Sequence, residues 1–203
     1  DLAKAVPCGL DLAFCPDPGS MYPSGAQTYI EVRELQKPLC GISRPTHFAG
    51  VATVVAKLFN LTQPHVAFFG QKDFQQLAVI RRMARDLDFD VDVVGMPIVR
   101  EPDGLAMSSR NVYLSADERA RALSLSRGLA AADALFKAGE RRAGALVAAA
   151  RAPLEQHPDI RIDYVELLDA DALTPMDMVA QPAVLAIAAF VGKTRLIDNR
   201  VLA

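Results

Sequence analysis

Chemistry in this sequence concentrates in two short stretches. The first is Gly70-Gln71-Lys72-Asp73, placed where an apolar run, His65 to Phe69, gives way to helical spacing. A strand that ends in glycine just before a helix is a phosphate-site geometry. The unpaired N–H groups at the helix start and the positive end of its dipole favour an anion, glycine lets a ligand approach the backbone, and Lys72 adds a mobile cation. The plainer reading is a strand-to-helix turn with a solvated lysine, Asp73 as N-cap and Gln76 as its capping-box partner. The second stretch is Met107-Ser108-Ser109-Arg110, followed by Asn111. Two hydroxyls and a guanidinium in a loop suit phosphate oxygens, because arginine offers a fork of donors and serine rotates its hydroxyl to fit; the alternative is a solvated loop. Together the two stretches read as cationic loops at the ends of neighbouring strands, facing one pocket.

Other reactive residue types carry less. His47, His65 and His157 lie too far apart for a zinc-helix motif. His65 reads as structural and His157 as a solvated helix end; His47, at a helix N-terminus, could line a site but reads first as a capping or packing residue. No Ser/His/Asp or Cys/His arrangement for nucleophilic catalysis stands out. Asp90 and Asp92 read as solvated strand-edge carboxylates.

The elements that must position the two loops follow from hydrophobic periodicity. Leu10 to Phe14 and Thr28 to Val32 read as strands. Phe48, Val51, Val55 and Leu58 mark one face of a helix with Thr46 as N-cap. His65 to Phe69 reads as a buried strand; Phe74, Leu77, Ile80, Ala84 and Leu87 mark the core face of the next helix, and Val91 to Val94 is a further core strand. This alternation predicts βαβ units with a parallel sheet, whose ligands bind beyond the carboxyl ends of the strands. The segment from Asp103 to Asn111 reads as an exposed loop. Ser115 with Glu118 forms a capping box opening a helix to about Ala138, with Gly139 as its stop, and a second helix spans about Ala143 to Gln156. Ile160 to Leu167, Ala183 to Val191 and Thr194 to Val201 read as strands, the last two joined by a turn at Gly192-Lys193. The fold class is therefore α/β, a larger parallel-sheet unit over residues 1–100 followed by a smaller α+β unit over 101–203.

Composition narrows the partners. With 22 basic against 24 acidic residues, nothing points to a general grip on nucleic acid or an anionic membrane. Cys8, Cys15 and Cys40 show no paired pattern and read as reduced thiols in a cytoplasmic setting. The longest clean apolar run, Ala183 to Val191, is far short of the roughly 20 residues a membrane helix needs. The opening Asp1-Leu-Ala-Lys-Ala-Val reads as the tail of a helix already under way, as in a piece lacking its natural N-terminus.

Several longer motifs, in order, carry a resemblance: Arg44-Pro-Thr-His-Phe-Ala-Gly-Val, Lys57-Leu-Phe-Asn, Phe69-Gly-Gln-Lys-Asp-Phe-Gln-Gln-Leu, Val99-Arg-Glu-Pro-Asp-Gly-Leu-Ala-Met-Ser-Ser-Arg-Asn-Val-Tyr-Leu and Arg195-Leu-Ile-Asp-Asn. Together they resemble the pantoate–β-alanine ligases of bacteria over essentially the whole chain. The resemblance implies a Rossmann-like domain of the nucleotidyltransferase superfamily, here without its first strands, and a smaller C-terminal lid domain. It implies MgATP-dependent adenylation of (R)-pantoate, attack of β-alanine on the adenylate, and a homodimer. It places ATP on Gly70, Gln71, Lys72, Asp73, Val99, Met107, Ser108, Ser109 and Arg110, with Lys72, Ser109 and Arg110 catalytic, and pantoate on Gln76. Val51, Val54 and Val55 are expected to wall the pantoate methyl groups. The family's Met-Gly-x-Leu-His-x-Gly-His segment and a second pantoate-binding glutamine are not among the 203 residues. The alternatives are a non-catalytic nucleotide-binding fragment and a related nucleotidyltransferase that acts on a phosphate ester.

Overall fold

The computed structural model describes residues 2–203. The first part of the chain carries three short helices, α1 (Leu2–Ala5), α2 (Pro18–Met21) and α3 (Cys40–Ser43). Then α4 (His47–Thr62) leads into β1 (Val66–Gly70), α5 (Phe74–Asp86) and β2 (Asp92–Met96), and β1 pairs with β2 in parallel, Phe68 opposite Val94. Next come α6 (Ala116–Lys137), α7 (Ala143–Glu155) and three antiparallel strands, β3 (Ile160–Asp169), β4 (Ala183–Val191) and β5 (Thr194–Leu202), in the order β3-β4-β5.

The helices form where apolar spacing provides a face to bury. Helix α4 buries Phe48, Ala52, Val55, Ala56 and Phe59, and α5 buries Leu77, Ile80, Met83 and Ala84. Leu87, expected on that face, lies one residue past α5 and is half exposed. Helix α6 opens on the expected capping box: the Ser115 hydroxyl accepts from the Glu118 N–H while the Glu118 carboxylate accepts from the Ser115 N–H. It ends at Gly139, whose φ of 103° is the left-handed conformation that only glycine adopts without strain.

β4 explains its own uninterrupted apolar run. Ala183, Leu185, Ile187, Ala189 and Val191 join the core built with α6 and α7, whereas Val184 and Ala186 join the core built with α4 and α5. Both faces of the strand are therefore covered, and the alternation expected of a one-sided strand disappears.

Several expectations are corrected. Leu10 to Phe14 and Thr28 to Val32 are not strands, and Leu12 and Phe14 are largely exposed. An extended apolar stretch becomes a strand only when its backbone pairs with a neighbouring edge, and among the described residues neither stretch pairs with one. The second stretch is instead held to α4, its Ile30 N–H donating to Thr53 Oγ1 at 2.9 Å. β1 is only half buried: Ala67 and Phe69 pack against the core, while Val66 and Phe68 face outward and are exposed. Among the described residues, no helix is long and apolar enough to cross a membrane.

Candidate active site

Both predicted loops lie at the carboxyl ends of the parallel strands. After β1 the chain makes one 3-10 turn, Gln71–Asp73, before α5 starts at Phe74. The expected capping box is absent: Asp73 is the N-cap but its side chain accepts no cap hydrogen bond, its backbone at φ −90° and ψ 60° lying outside the extended region usual for a capping residue. Gly70 has ordinary extended geometry, φ −69° and ψ 131°, and a methyl group there would meet nothing within 4 Å. What the glycine supplies is open space beside the backbone, rather than a conformation other residues are denied.

Beyond β2 the chain folds back on itself, Glu101 N–H donating to Leu105 O at 2.8 Å and Met107 N–H to Val99 O at 2.9 Å. This tight turn passes through Gly104 at φ 94°. The segment is less exposed than its sequence predicts, since Leu105, Ala106 and Asn111 are buried. Asn111 Nδ2 donates to Glu101 Oε1 and to Ala106 O, and Arg119 reaches both Glu101 and Asp103. With Asn111 and Arg119 hydrogen-bonded to it, the Glu101 carboxyl lies below its ordinary pKa. Ser108 then opens a 3-10 turn, Ser109–Tyr113, its hydroxyl accepting from the Arg110 N–H at 3.2 Å.

The two loops meet directly. Lys72 Nζ donates to Met107 O at 3.0 Å, and Arg110 Nη1 donates to Arg195 O on β5 at 3.3 Å. A small cleft of about 80 Å³ lies beside them, lined by Lys72, Asp73, Gln76 and Arg110 together with Arg44, His47, Tyr164 and Arg195. Gly70, Gln71, Val99, Met107, Ser108 and Ser109 are not among its lining residues. Val99 is instead exposed, and the Ser108 hydroxyl is committed to its own turn. Val51, Val54 and Val55 also stay out of the cleft, packing into the core with α5; Leu39 and Phe48 supply the apolar wall.

Cationic side chains outnumber carboxylates in the cleft, Arg44, Lys72, Arg110 and Arg195 standing against Asp73 and Asp198. Burial draws the Lys72 pKa below its usual value, Asp73 and Asp198 oppose that, and Arg110 and Arg100 reinforce it. Burial and then the Arg44 charge lower His47, with Asp73 acting the other way, so at neutral pH its imidazole is chiefly uncharged. His47 thus lines the site, the less favoured of the two readings the sequence offered, and its ring tilts against Phe48 at 5.0 Å. The Tyr164 phenol is pushed up to about 12 by burial, against the pull of Arg195.

Three side chains of structural weight carried no local sequence signal. Gln75, neighbour of the expected ligand Gln76, is buried and ties residues 35–40 to α5. Asp198, buried on β5, receives Arg100 through both carboxylate oxygens at 2.7 and 3.0 Å. Asn199 Nδ2 donates to Gln71 O and to Lys72 O, each at 2.9 Å. The last two lie in a motif that sequence recognised without assigning roles. A larger cleft, about 890 Å³, runs between residues 30–35, α5 and residues 170–174, and contains none of the expected site residues.

A parallel βαβ unit with a lysine turn at one strand end, facing a Ser-Ser-Arg loop at the next, defines an α/β protein of nucleotidyltransferase type. Comparison with known proteins narrows this class. The family described as Pantoate-beta-alanine ligase matches residues 1–201. Pantothenate synthetase of Geobacter sulfurreducens is 54% identical over 202 residues, spanning 100% of this chain and 71% of that protein. Pantothenate synthetase of Myxococcus xanthus is 58% identical over 202 residues, spanning 98% of this chain and 69% of that protein. Among solved structures, pantothenate synthetase from Thermus thermophilus superposes with a TM-score of 0.93 at 44% identity, covering 98% of this chain and 72% of that one. Pantoate-beta-alanine ligase from Francisella tularensis, complexed with beta-gamma ATP and beta-alanine, superposes with a TM-score of 0.73 at 26% identity, covering 99% of this chain and 68% of that one. The chain belongs to the pantoate–β-alanine ligase family.

Proposed function

We propose that this protein condenses pantoate with β-alanine at the expense of ATP, through a pantoyl adenylate. The pantoate carboxylate attacks the α-phosphorus, the bond to the bridging oxygen breaks, and pyrophosphate leaves. The β-alanine amine then attacks the acyl carbon, loses a proton and displaces AMP. The observation that carries this reading is the contact between Lys72 and Met107, which joins two phosphate-type loops at the carboxyl ends of adjacent parallel strands.

In this reading Lys72 and Arg110 stabilise negative charge as it builds on the α-phosphate and the departing pyrophosphate. Each exchanges a main-chain carbonyl, Met107 O or Arg195 O, for a phosphate oxygen. The Ser109 hydroxyl adds a donor beside them. Gly70, Gln71, Asp73, Val99, Met107 and Ser108 shape the nucleotide's path, and the Gln76 carboxamide, on the first turn of α5, holds pantoate. His47, largely neutral, is suited to hydrogen bonding rather than to charge pairing.

A divalent magnesium ion fits this site as a companion of ATP rather than as a resident. Among the described residues, no group of three or more His, Cys, Asp or Glu side chains stands ready for a metal. Asp198 is taken by Arg100, which leaves Asp73 as the exposed carboxylate in the cleft, and magnesium binds through one or two carboxylates plus phosphates and water. Bound there, it would neutralise charge on the leaving pyrophosphate. A homodimer is supported by the resemblance and by the exposed Val66, Phe68, Leu12 and Phe14. A cytoplasmic setting is supported by the three free cysteines.

Pantoate-dependent exchange of labelled pyrophosphate into ATP tests the reading. Lys72→Ala should lower exchange by about 10²- to 10³-fold, the usual loss for one group aimed at developing charge, with the thermal midpoint unchanged. An undiminished rate would remove Lys72 from the chemistry, and no exchange in the folded wild type would refute the ligase reading.

A further inference from the structure

Asn199 occupies an unusual place for a β-strand side chain. It is 5% exposed on β5, and both N–H bonds of its carboxamide point away from the strand into the turn that follows β1. The acceptors are the carbonyls of Gln71 and Lys72, each 2.9 Å away. The base of this side chain is fixed as well. The Asn199 N–H donates to Asp198 Oδ1 at 2.8 Å, and Asp198 is clamped by the Arg100 guanidinium, which also donates to Gly104 O at 3.1 Å. Lys72 is consequently held at both ends, its main chain by Asn199 and its ammonium group by Met107 O.

These ends differ in kind. The ammonium end is exposed to exchange, since an incoming phosphate oxygen can replace a carbonyl there. The main-chain end is half-buried at the wall of the cleft, and there both N–H bonds of the Asn199 carboxamide are already taken by the two carbonyls. We propose that Asn199 is a positioning residue for adenylation: by holding the Gln71–Lys72 main chain from β5 it sets the point from which the Lys72 ammonium group reaches the phosphates. This rests on the charge-stabilising role proposed for Lys72. Preorganisation explains why such a tie matters, because a catalytic group displaced by about 1 Å costs on the order of 10²-fold in rate.

A purely structural tie between β5 and the turn would act independently of the lysine side chain, and a double-mutant cycle separates the two cases. Pantoate-dependent pyrophosphate exchange would be measured on the naturally produced, full-length protein as wild type, Asn199→Ala, Lys72→Ala and the double variant, with circular dichroism to confirm folding. Asn199→Ala should lower kcat by roughly 10- to 100-fold with the KM for pantoate unchanged. In the Lys72→Ala background the same change should cost less than about 2-fold, since the group it positions is gone. Asn199→Asp keeps the shape but sets a carboxylate against two carbonyl oxygens, so it should be no more active than Asn199→Ala. Should the alanine variant not fold, Asn199→Gln keeps both donors at the wrong reach and carries the same cycle.

Full activity of the folded Asn199 variants, or equal fold-losses from Asn199→Ala in both backgrounds with Lys72→Ala itself impaired, would overturn the positioning role alone. An undiminished Lys72→Ala would instead refute the role of the lysine, and the positioning role with it.

Discussion

Replacing Gln75 should loosen the whole approach to the cleft. Its side chain is 6% exposed, its Nε2 donates to Leu35 O at 3.0 Å and to Pro38 O at 2.6 Å, and its Oε1 accepts from the Cys40 N–H at 3.1 Å. The loop it secures is tightly folded: Leu39 sits at φ 53° and ψ −120°, and a methyl group on Gly41 would fall 1.7 Å from Gln36 O. Gln75→Ala removes three hydrogen bonds and strands their main-chain partners; at about 1 kcal/mol each the loss is about 3 kcal/mol. For a chain of this size that corresponds to a fall of about 6–12 °C in thermal midpoint. Gln75→Glu is the sharper test, since it retains the acceptor for Cys40 but turns a carboxylate toward two carbonyl oxygens. At pH 7 it should be less stable than Gln75→Ala. Its folded-state pKa is raised above the unfolded value of about 4.3, so its deficit should shrink as pH falls toward that value and grow as pH rises through the folded pKa. Urea titrations of the three proteins between pH 4.5 and 7 check this. A Gln75→Glu protein as stable as wild type at pH 7 would refute the donor assignment, and a Gln75→Ala cost under about 0.5 kcal/mol would refute the claim that these bonds hold the loop.

Further outcomes follow from other parts of the molecule. Gln76→Ala should raise the KM for pantoate about tenfold, consistent with a lost hydrogen bond of about 1.4 kcal/mol, and leave the thermal midpoint in place; an unchanged KM would exclude Gln76 from the pantoate site. Gly128→Ala would put a methyl group 2.2 Å from Ala150 O where α6 crosses α7, so urea unfolding should show a loss of about 1–3 kcal/mol or more. The Glu140 carboxyl, hydrogen-bonded by the Arg142 side chain and by two main-chain N–H groups, is lowered to about 2, and carboxyl NMR should show its midpoint there. Being depressed, this group contributes stability above its unfolded pKa of about 4.3, and that contribution is lost as pH falls through the folded value. Arg142→Ala should return the midpoint toward about 4.3.

Local signals in the sequence read well where local physics decides. The capping box of Ser115 and Glu118, the stop at Gly139, the apolar stripes of α4 and α5 and the hairpin of β4 with β5 all appear as periodicity and punctuation. The meeting of the Lys72 and Arg110 loops was also legible, because parallel-sheet topology puts successive strand ends side by side. Failures came where a distant partner decides. Leu10 to Phe14 has strand composition but no paired edge among the described residues, and β1 has a burial pattern set by its neighbours rather than by its own composition. Gln75 and Gln76 are indistinguishable in sequence, yet one is a loop anchor and the other faces the cleft; the difference lies in carbonyls about 40 residues away. Asn199 acts on a turn 127 residues earlier in the chain, a distance at which no spacing rule speaks.

The double-faced burial of β4 has a consequence for how the chain comes apart. Because its alternate residues complete two separate apolar clusters, neither cluster can lose β4 without opening the other. The strand couples two halves that would otherwise melt apart, so denaturant or heat should dissolve both in one cooperative step. Hydrogen exchange at the amides of β4 would then proceed only through global opening, making this strand the slowest-exchanging part of the molecule.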